Sequence, residues 1–478
     1  MSKPLKILLA VLLALVVATP AMAMKFEFHG DFYTRFMVYT DQASFYGGSD
    51  RSTTDTNATR GLDPDKRKDS WGEIKSRLVF SGENDDGSVK GVYALEVGAL
   101  RFGNGAGIGG STRTGGGNFS GDGINVETRW FYTDFQIPGV PSKARFQLGL
   151  FSNTVNPFFW SETVMGVKFY TDNFYVAWLR GNEKLTASTE DWHDGDLDSL
   201  TARYDLKMDP FKLGLFASYL WQDAHLASGA FTNLSTFNHL AQYEVKVLPQ
   251  TLNFNLLALG VDGGWSAKTG FGKVFVNWDL IYEMGKLKDV SFDNATRVDA
   301  DLRGYLLHAD IGVNFGAATL TLTSYYASGD KQTSTDTDLD AYMAVDVDRT
   351  DSIVLQEGGY TDDNYFTERP YIHDYGLWLN KLALDFQATK KTKFGAAVLY
   401  LMTAEDVQLT ATKKSDRIGW EFDAYVSHKI YDNLEAALNF GYLNSGDVMD
   451  DFETGAKAGD GTADVNIFRS TAMVRYLF

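Results

Sequence analysis

The segment KFEFHGDFYTRFMVY, residues 25–39, alternates apolar and polar residues along almost its whole length. Phe26, Phe28, Gly30, Phe32, Thr34, Phe36 and Val38 share one parity, and Lys25, Glu27, His29, Asp31, Tyr33 and Arg35 share the other. Successive side chains of a β-strand point to opposite faces. A period of two held this long therefore requires a strand with one apolar and one wet face. The last residues repeat the pattern, with Phe468, Ser470, Ala472, Val474, Tyr476 and Phe478 opposed to Arg469, Thr471, Met473, Arg475 and Leu477.

The same grammar recurs between these ends. GEIKSRLVF sets Ile74, Ser76, Leu78 and Phe80 against Glu73, Lys75, Arg77 and Val79. INVETRWFYTDF sets Val126, Thr128, Trp130 and Tyr132 against Glu127, Arg129, Phe131 and Thr133. Short turns such as PGVPS, TDN, KMDP and IYDN interleave with long polar connections. Alternating strands joined by short and long connections in turn predict an all-β chain, a transmembrane antiparallel β-barrel with short periplasmic turns and long extracellular loops. Counted from both ends, strand directions agree when residues 224–250 form one long loop, which gives about 18 strands; 16 is the alternative count.

Residues 1–23 carry Lys3 and Lys6, an apolar run from Ile7 to Ala18, and Ala21-Met22-Ala23, the pattern of a secretory signal peptide. The apolar run is too short to span a bilayer as a helix, and no later segment is longer, so a helical membrane protein is excluded. Residues 24–478 are expected to form a single barrel domain, since no linker or composition break divides them. The 46 glycines, 9 prolines and 14% aromatics suit a large β-body with many turns. A net charge of −18 argues against nucleic acid. With no cysteine, disulfides, thiol catalysis and Cys-type zinc sites are excluded.

With this leader, an opening strand MKFEFHGDFYTRF and a closing STAMVRYLF, the chain resembles the general diffusion porins of Gram-negative bacteria. In style it is similar to the homotrimeric porins of sulfate-reducing, Desulfovibrio-type bacteria. The resemblance implies an outer-membrane channel for passive diffusion of small hydrophilic solutes and ions, with no enzymatic step. It implies a homotrimer bordered by lipid and lipopolysaccharide, and a last strand recognised by the β-barrel assembly machinery through Val474, Tyr476 and Phe478. Parity turns Arg35, Lys75, Arg77 and Arg129 inward as a basic wall, with Glu73, Glu96 and Glu127 as acids beside them. Such porins narrow at an inward-folded third loop, here FSNTVNPFFWSETV, Phe151 to Val164, with Asn156, Phe158, Trp160 and Glu162 as constriction candidates. That loop carries a single acid, so a basic wall unopposed at the narrows is expected to favour anions.

Other motifs are weaker. The Gly-rich stretch 103–123 lacks the Lys-Ser/Thr ending of a phosphate-binding loop and reads as an extracellular loop. Asp336, Asp338 and Asp340 form a D-x-D-x-D array, but Ala341 and Val347 stand where a calcium loop needs Gly and Glu. A structural Ca²⁺ there is the sharper reading and a solvated acidic loop over 330–363 the default; no other cofactor is indicated. The seven histidines show no ligand spacing, and no nucleophile motif is present. Two alternatives stand beside the diffusion channel. One is a substrate-selective channel for sugars or organic acids, suggested by Tyr33, Phe131 and Phe135 as inward aromatics. The other is a secreted β-propeller or adhesin, which should show repeats of about 40–50 residues.

Overall fold

The computed structural model describes residues 24–40, 68–102, 126–140, 143–182, 196–225, 246–247, 251–291, 298–331, 338–347, 349–356, 370–453 and 459–478. The leader, the Gly-rich stretch and Asp336 lie outside these residues.

Eighteen strands run around the barrel. They are β1 (Met24–Thr40), β2 (Lys68–Asn84), β3 (Val89–Arg101), β4 (Val126–Gln136), β5 (Arg145–Asn156), β6 (Trp160–Tyr170), β7 (Phe174–Asn182), β8 (Leu197–Met208) and β9 (Phe211–His225). The second half comprises β10 (Thr251–Thr269), β11 (Gly272–Ser291), β12 (Tyr305–Asn314), β13 (Ala318–Ala327), β14 (Leu377–Gln387), β15 (Thr392–Gln408), β16 (Lys414–Tyr431), β17 (Leu434–Ser445) and β18 (Ile467–Leu477). Each is antiparallel to the next, and β18 pairs back on β1 from Asp31↔Leu477 to Thr40↔Phe468. Two short pieces, Lys246–Val247 and Val298–Leu302, add onto the far end of β11.

Closure pairs the first strand with the last over residues 30–40, which is what a sheet in lipid requires, because hydrocarbon cannot satisfy free backbone groups. Phe478 completes the seam: Gly30 N–H donates to its carbonyl at 3.0 Å and its own N–H donates to the Gly30 carbonyl at 3.1 Å. Outward residues of β1 stand clear of the protein, with Phe26 76% and Phe36 53% exposed, whereas inward Tyr33, Arg35 and Met37 are buried. Aromatic, Leu and Val side chains repeat this outward placement around the wall, making the apolar belt that alternation predicts.

β10 runs past Val261 to Thr269, longer than its apolar pattern suggests. The polar Asp262 in GVDGGW continues the strand because its carboxylate faces inward to Arg203.

The interior is not uniformly wet. The connection between β13 and β14 enters the barrel, and Leu339, Tyr342, Met343, Val347, Val354, Leu355, Tyr371 and Ile372 are each at most 2% exposed. They pack with Phe151, Phe158, Phe159 and Trp160 and with inward residues of the wall into one apolar cluster. The solvated acidic loop expected over 330–363 is therefore corrected: where described, its segment 339–356 is largely an apolar insert.

Candidate pore and its constriction

The inner faces of β1 to β4 gather the charged residues singled out by parity. Arg35 and Glu73 form an ion pair whose side chains are both wholly buried, and Trp71 Nε1 donates to Glu73 Oε2 at 2.9 Å. Glu96, on β3, lies between three cations, with Lys75 Nζ at 3.0 Å, Arg77 Nε at 2.5 Å and Arg129 Nε at 3.9 Å. Arg129 also approaches Glu162 at 3.8 Å. Glu127 stands directly opposite Glu96 in the β3–β4 register. Each of the four basic side chains therefore has an acid beside it.

Alternation fails within β4, and the reason is local. In the β3–β4 ladder Ala94 faces Trp130 and Leu95 faces Thr128, leaving Arg129 as the extra residue of a bulge. A bulge shifts every later side chain by one place. Phe131 therefore points outward, 66% exposed and edge-on to Tyr93, while Asp134 points inward and is buried. Of the three aromatics expected in the lumen, Tyr33 lies inward and Phe131 does not; Phe135 is half-buried in an aromatic row with Phe146 and Phe169.

The segment Phe151 to Val164 is a tight hairpin, where a long loop was expected. Pairing runs in register from Phe151↔Val164 to Thr154↔Ser161 and ends at Asn156↔Trp160, with three residues at the tip. Its tip turns into the lumen. Asn156 Nδ2 donates to Asp279 Oδ1 at 2.6 Å, and His308 Nδ1 meets the other Asp279 oxygen at 2.7 Å. Phe158 is fully buried against the rings of His308 and Tyr325, under the Arg349 guanidinium at 4.2 Å.

What reaches across to this tip is the insert between β13 and β14. Tyr342 Oη donates to the Phe158 carbonyl at 2.9 Å, Val345 N–H to the Phe159 carbonyl at 2.7 Å, and Ser161 N–H to the Asp346 carbonyl at 2.7 Å. Arg349 pairs with Asp351; burial works to lower the arginine's affinity for its proton, and the adjacent Asp351 carboxylate outweighs it and holds that affinity above the ordinary range. Sequence reasoning missed this insert, although the apolar runs AYMAV and SIVLQ inside an acid-rich connection were a readable sign of it.

Two further wall features were also missed. Arg203 on β8 forks onto Asp262 on β10 at 2.6 and 2.9 Å. Lys168 on β6 meets Asn153 Oδ1 at 3.1 Å and the Tyr175 ring at 4.2 Å, with no carboxylate in ion-pair range among the described residues. Asn153 is 1% exposed, and its side chain also meets the Tyr175 hydroxyl.

At the seam, Phe478 stacks on Phe32 at 5.3 Å and Tyr476 at 5.8 Å, and Val474 is outward and 46% exposed. Asp338 pairs with Arg303 at 3.1 Å, and Asp340 N–H donates to Asp330. Among the described residues no three His, Asp or Glu side chains group as metal ligands.

No protein-family signature matches the sequence. No curated protein matches it either. Solved structures do match in shape. Pseudomonas aeruginosa OccK2 (OpdF) aligns over 95% of this chain and 98% of its own, at 11% identity and a TM-score of 0.51. The same protein in complex with glucuronate gives 12% identity and 0.50, and P. aeruginosa OccK8 (OprE) 11% and 0.50, each over the same shares. A closed barrel of 18 strands with an apolar outer belt and a charged inner wall defines the class: a Gram-negative outer-membrane β-barrel of the porin fold. At such low identity the likeness is one of architecture.

Proposed function

We propose that the barrel is a water-filled channel through which small hydrophilic solutes and ions diffuse, favouring anions. The observation that supports this preference is Lys168. Each cation of the basic wall of β1 to β4 has an acid beside it, whereas Lys168 has no carboxylate in ion-pair range among the described residues and bonds Asn153 Oδ1 instead. An inward ammonium without a carboxylate partner attracts anions into a pore whose selectivity is set by its lining charges. In planar bilayers under a salt gradient, the reversal potential should give an anion preference that Lys168→Gln weakens. A clear cation preference of the parent protein would remove the proposal.

Selective passage of sugar acids is a second reading, motivated by the glucuronate complex of OccK2. Saturable glucuronate entry in liposome swelling supports it, and linear entry supports simple diffusion. The same proposal takes the barrel as one subunit of a homotrimer, as in the resembling porins of sulfate-reducing bacteria. Channel openings in multiples of three test that assembly.

A further inference from the structure

Three inward carboxylates on the far wall have no ion pair with a basic side chain among the described residues. Each is met by the insert instead. Glu421 on β16, wholly buried, accepts Ser352 Oγ at 2.8 and 2.7 Å, Val354 N–H at 2.7 Å and Leu355 N–H at 3.2 Å. Two residues along, Asp423 Oδ2 accepts Ile353 N–H at 3.2 Å, and its carboxyl lies against that of Glu421. Glu283 on β11 accepts Met343 N–H at 2.9 Å and is 1% exposed. Lys381 stands beside Asp423 and donates to the Asp351 carbonyl at 2.5 Å.

The wall is cut to receive this segment. Gly441 on β17 lies under Ile353, where an added Cβ would come 2.7 Å from Ile353 Cγ2 and 2.9 Å from Val354 Cγ2. Backbone N–H groups turned together onto a carboxylate form an anion nest. Here the anion it holds belongs to the barrel itself.

We infer that Glu283, Glu421 and Asp423 are selectivity residues masked by the insert, so the position of residues 342–355 sets the charge preference of the pore as well as its width. With the insert seated, the three acids are covered and the wall around Lys168 governs. Once it leaves, three carboxylates and one ammonium meet water, a net change of two negative charges facing the path. Two such charges at about 10 Å, screened at ordinary salt, shift the cation-to-anion permeability ratio roughly threefold. This rests on the channel reading above.

The test uses the full barrel in planar bilayers, with heat-modifiable migration confirming that each variant is folded. Gly441→Leu evicts Ile353 without altering any charge, and should raise conductance and shift the permeability ratio toward cations roughly threefold. A second variant replaces residues 329–375 by a short Gly-Ser turn, which the direct pairing of Ala327 with Leu377 permits. Excision also removes several loop aspartates, so loss of loop charge alone would move selectivity toward anions, the opposite sign. Repeating either change in a Glu283→Gln, Glu421→Gln, Asp423→Asn background should keep the larger conductance and abolish the shift. An unchanged ratio in the widened pores, or a shift that survives neutralisation, overturns the inference. No conductance from the parent protein would instead refute the channel reading.

Discussion

The fork between Arg203 and Asp262 passes directly over Gly214 of β9, so the geometry yields a prediction with a sign. A Cβ at Gly214 would lie 2.3 Å from Arg203 Nη2 and 2.5 Å from Asp262 Oδ1. Gly214→Ala therefore has to push the guanidinium off its carboxylate. Two hydrogen bonds to charged groups are worth roughly 1.5–3 kcal/mol each in a buried setting. Arg203 and Asp262 are 15% and 20% exposed, so solvation of the separated groups returns much of that and leaves a loss of about 2 kcal/mol. Replacing a strand glycine by alanine otherwise gains roughly 0.5–1 kcal/mol. The expected net loss is about 1–1.5 kcal/mol. In an Asp262→Asn background the fork is already slack, so the same alanine should be neutral or stabilising. Urea unfolding from lipid vesicles, followed by tryptophan fluorescence, measures both steps. An equal loss in both backgrounds refutes the reasoning.

Other outcomes follow from the same contacts. Glu73→Leu leaves the Arg35 guanidinium buried without that carboxylate and should cost about 3–5 kcal/mol, whereas Arg35→Leu with Glu73→Leu should recover most of it; urea midpoints of the two variants decide. Phe478→Ala removes ring contacts to Phe28, Phe32 and Tyr476 and should lower the fraction of heat-modifiable barrel in refolding assays. If that fraction is unchanged, those contacts do not help the seam to close. Burial raises the carboxyls of Asp450 and Glu453, in the connection between β17 and β18, above their ordinary range, against the pull of nearby backbone N–H groups. A raised folded-state value means stability that is complete below about pH 4 and lost as pH rises through it. Intrinsic-rate-corrected hydrogen-exchange protection of Asp447–Phe452 should thus fall from pH 4 to pH 8; a rise would contradict the assignment.

Much of the barrel is legible in the sequence because its two solvents impose opposite demands on alternate residues. Phe26 to Val38 and Ile74 to Phe80 announce their outward faces, and strand directions counted from both ends give the observed 18. Reading fails where a single residue breaks the count. The bulge at Arg129 sends Phe131 to lipid, and nothing in INVETRWFYTDF marks which residue is extra. Tertiary partners are likewise invisible in one strand: Asp262 resembles a turn residue until Arg203 appears beside it, and Gly441 acquires meaning from Ile353 of the insert. The constriction candidates Asn156, Phe158 and Trp160 do reach the interior, but as the tip of a hairpin met by residues from nearly two hundred positions away.

The seam between β1 and β18 has a consequence for how the molecule is made. Arg475 bonds Asp31 at 2.5 Å across 444 residues of sequence, and β1 can find its second neighbour only after every intervening strand exists. Until then the opening strand offers a row of unsatisfied donors and acceptors, the very template on which foreign strands add. Pairing at such separation is also the slowest kind of contact to form. The nascent chain therefore has to be kept apart from its siblings for as long as its first strand waits for its last. Chaperoning is thus a requirement written into the topology of the barrel.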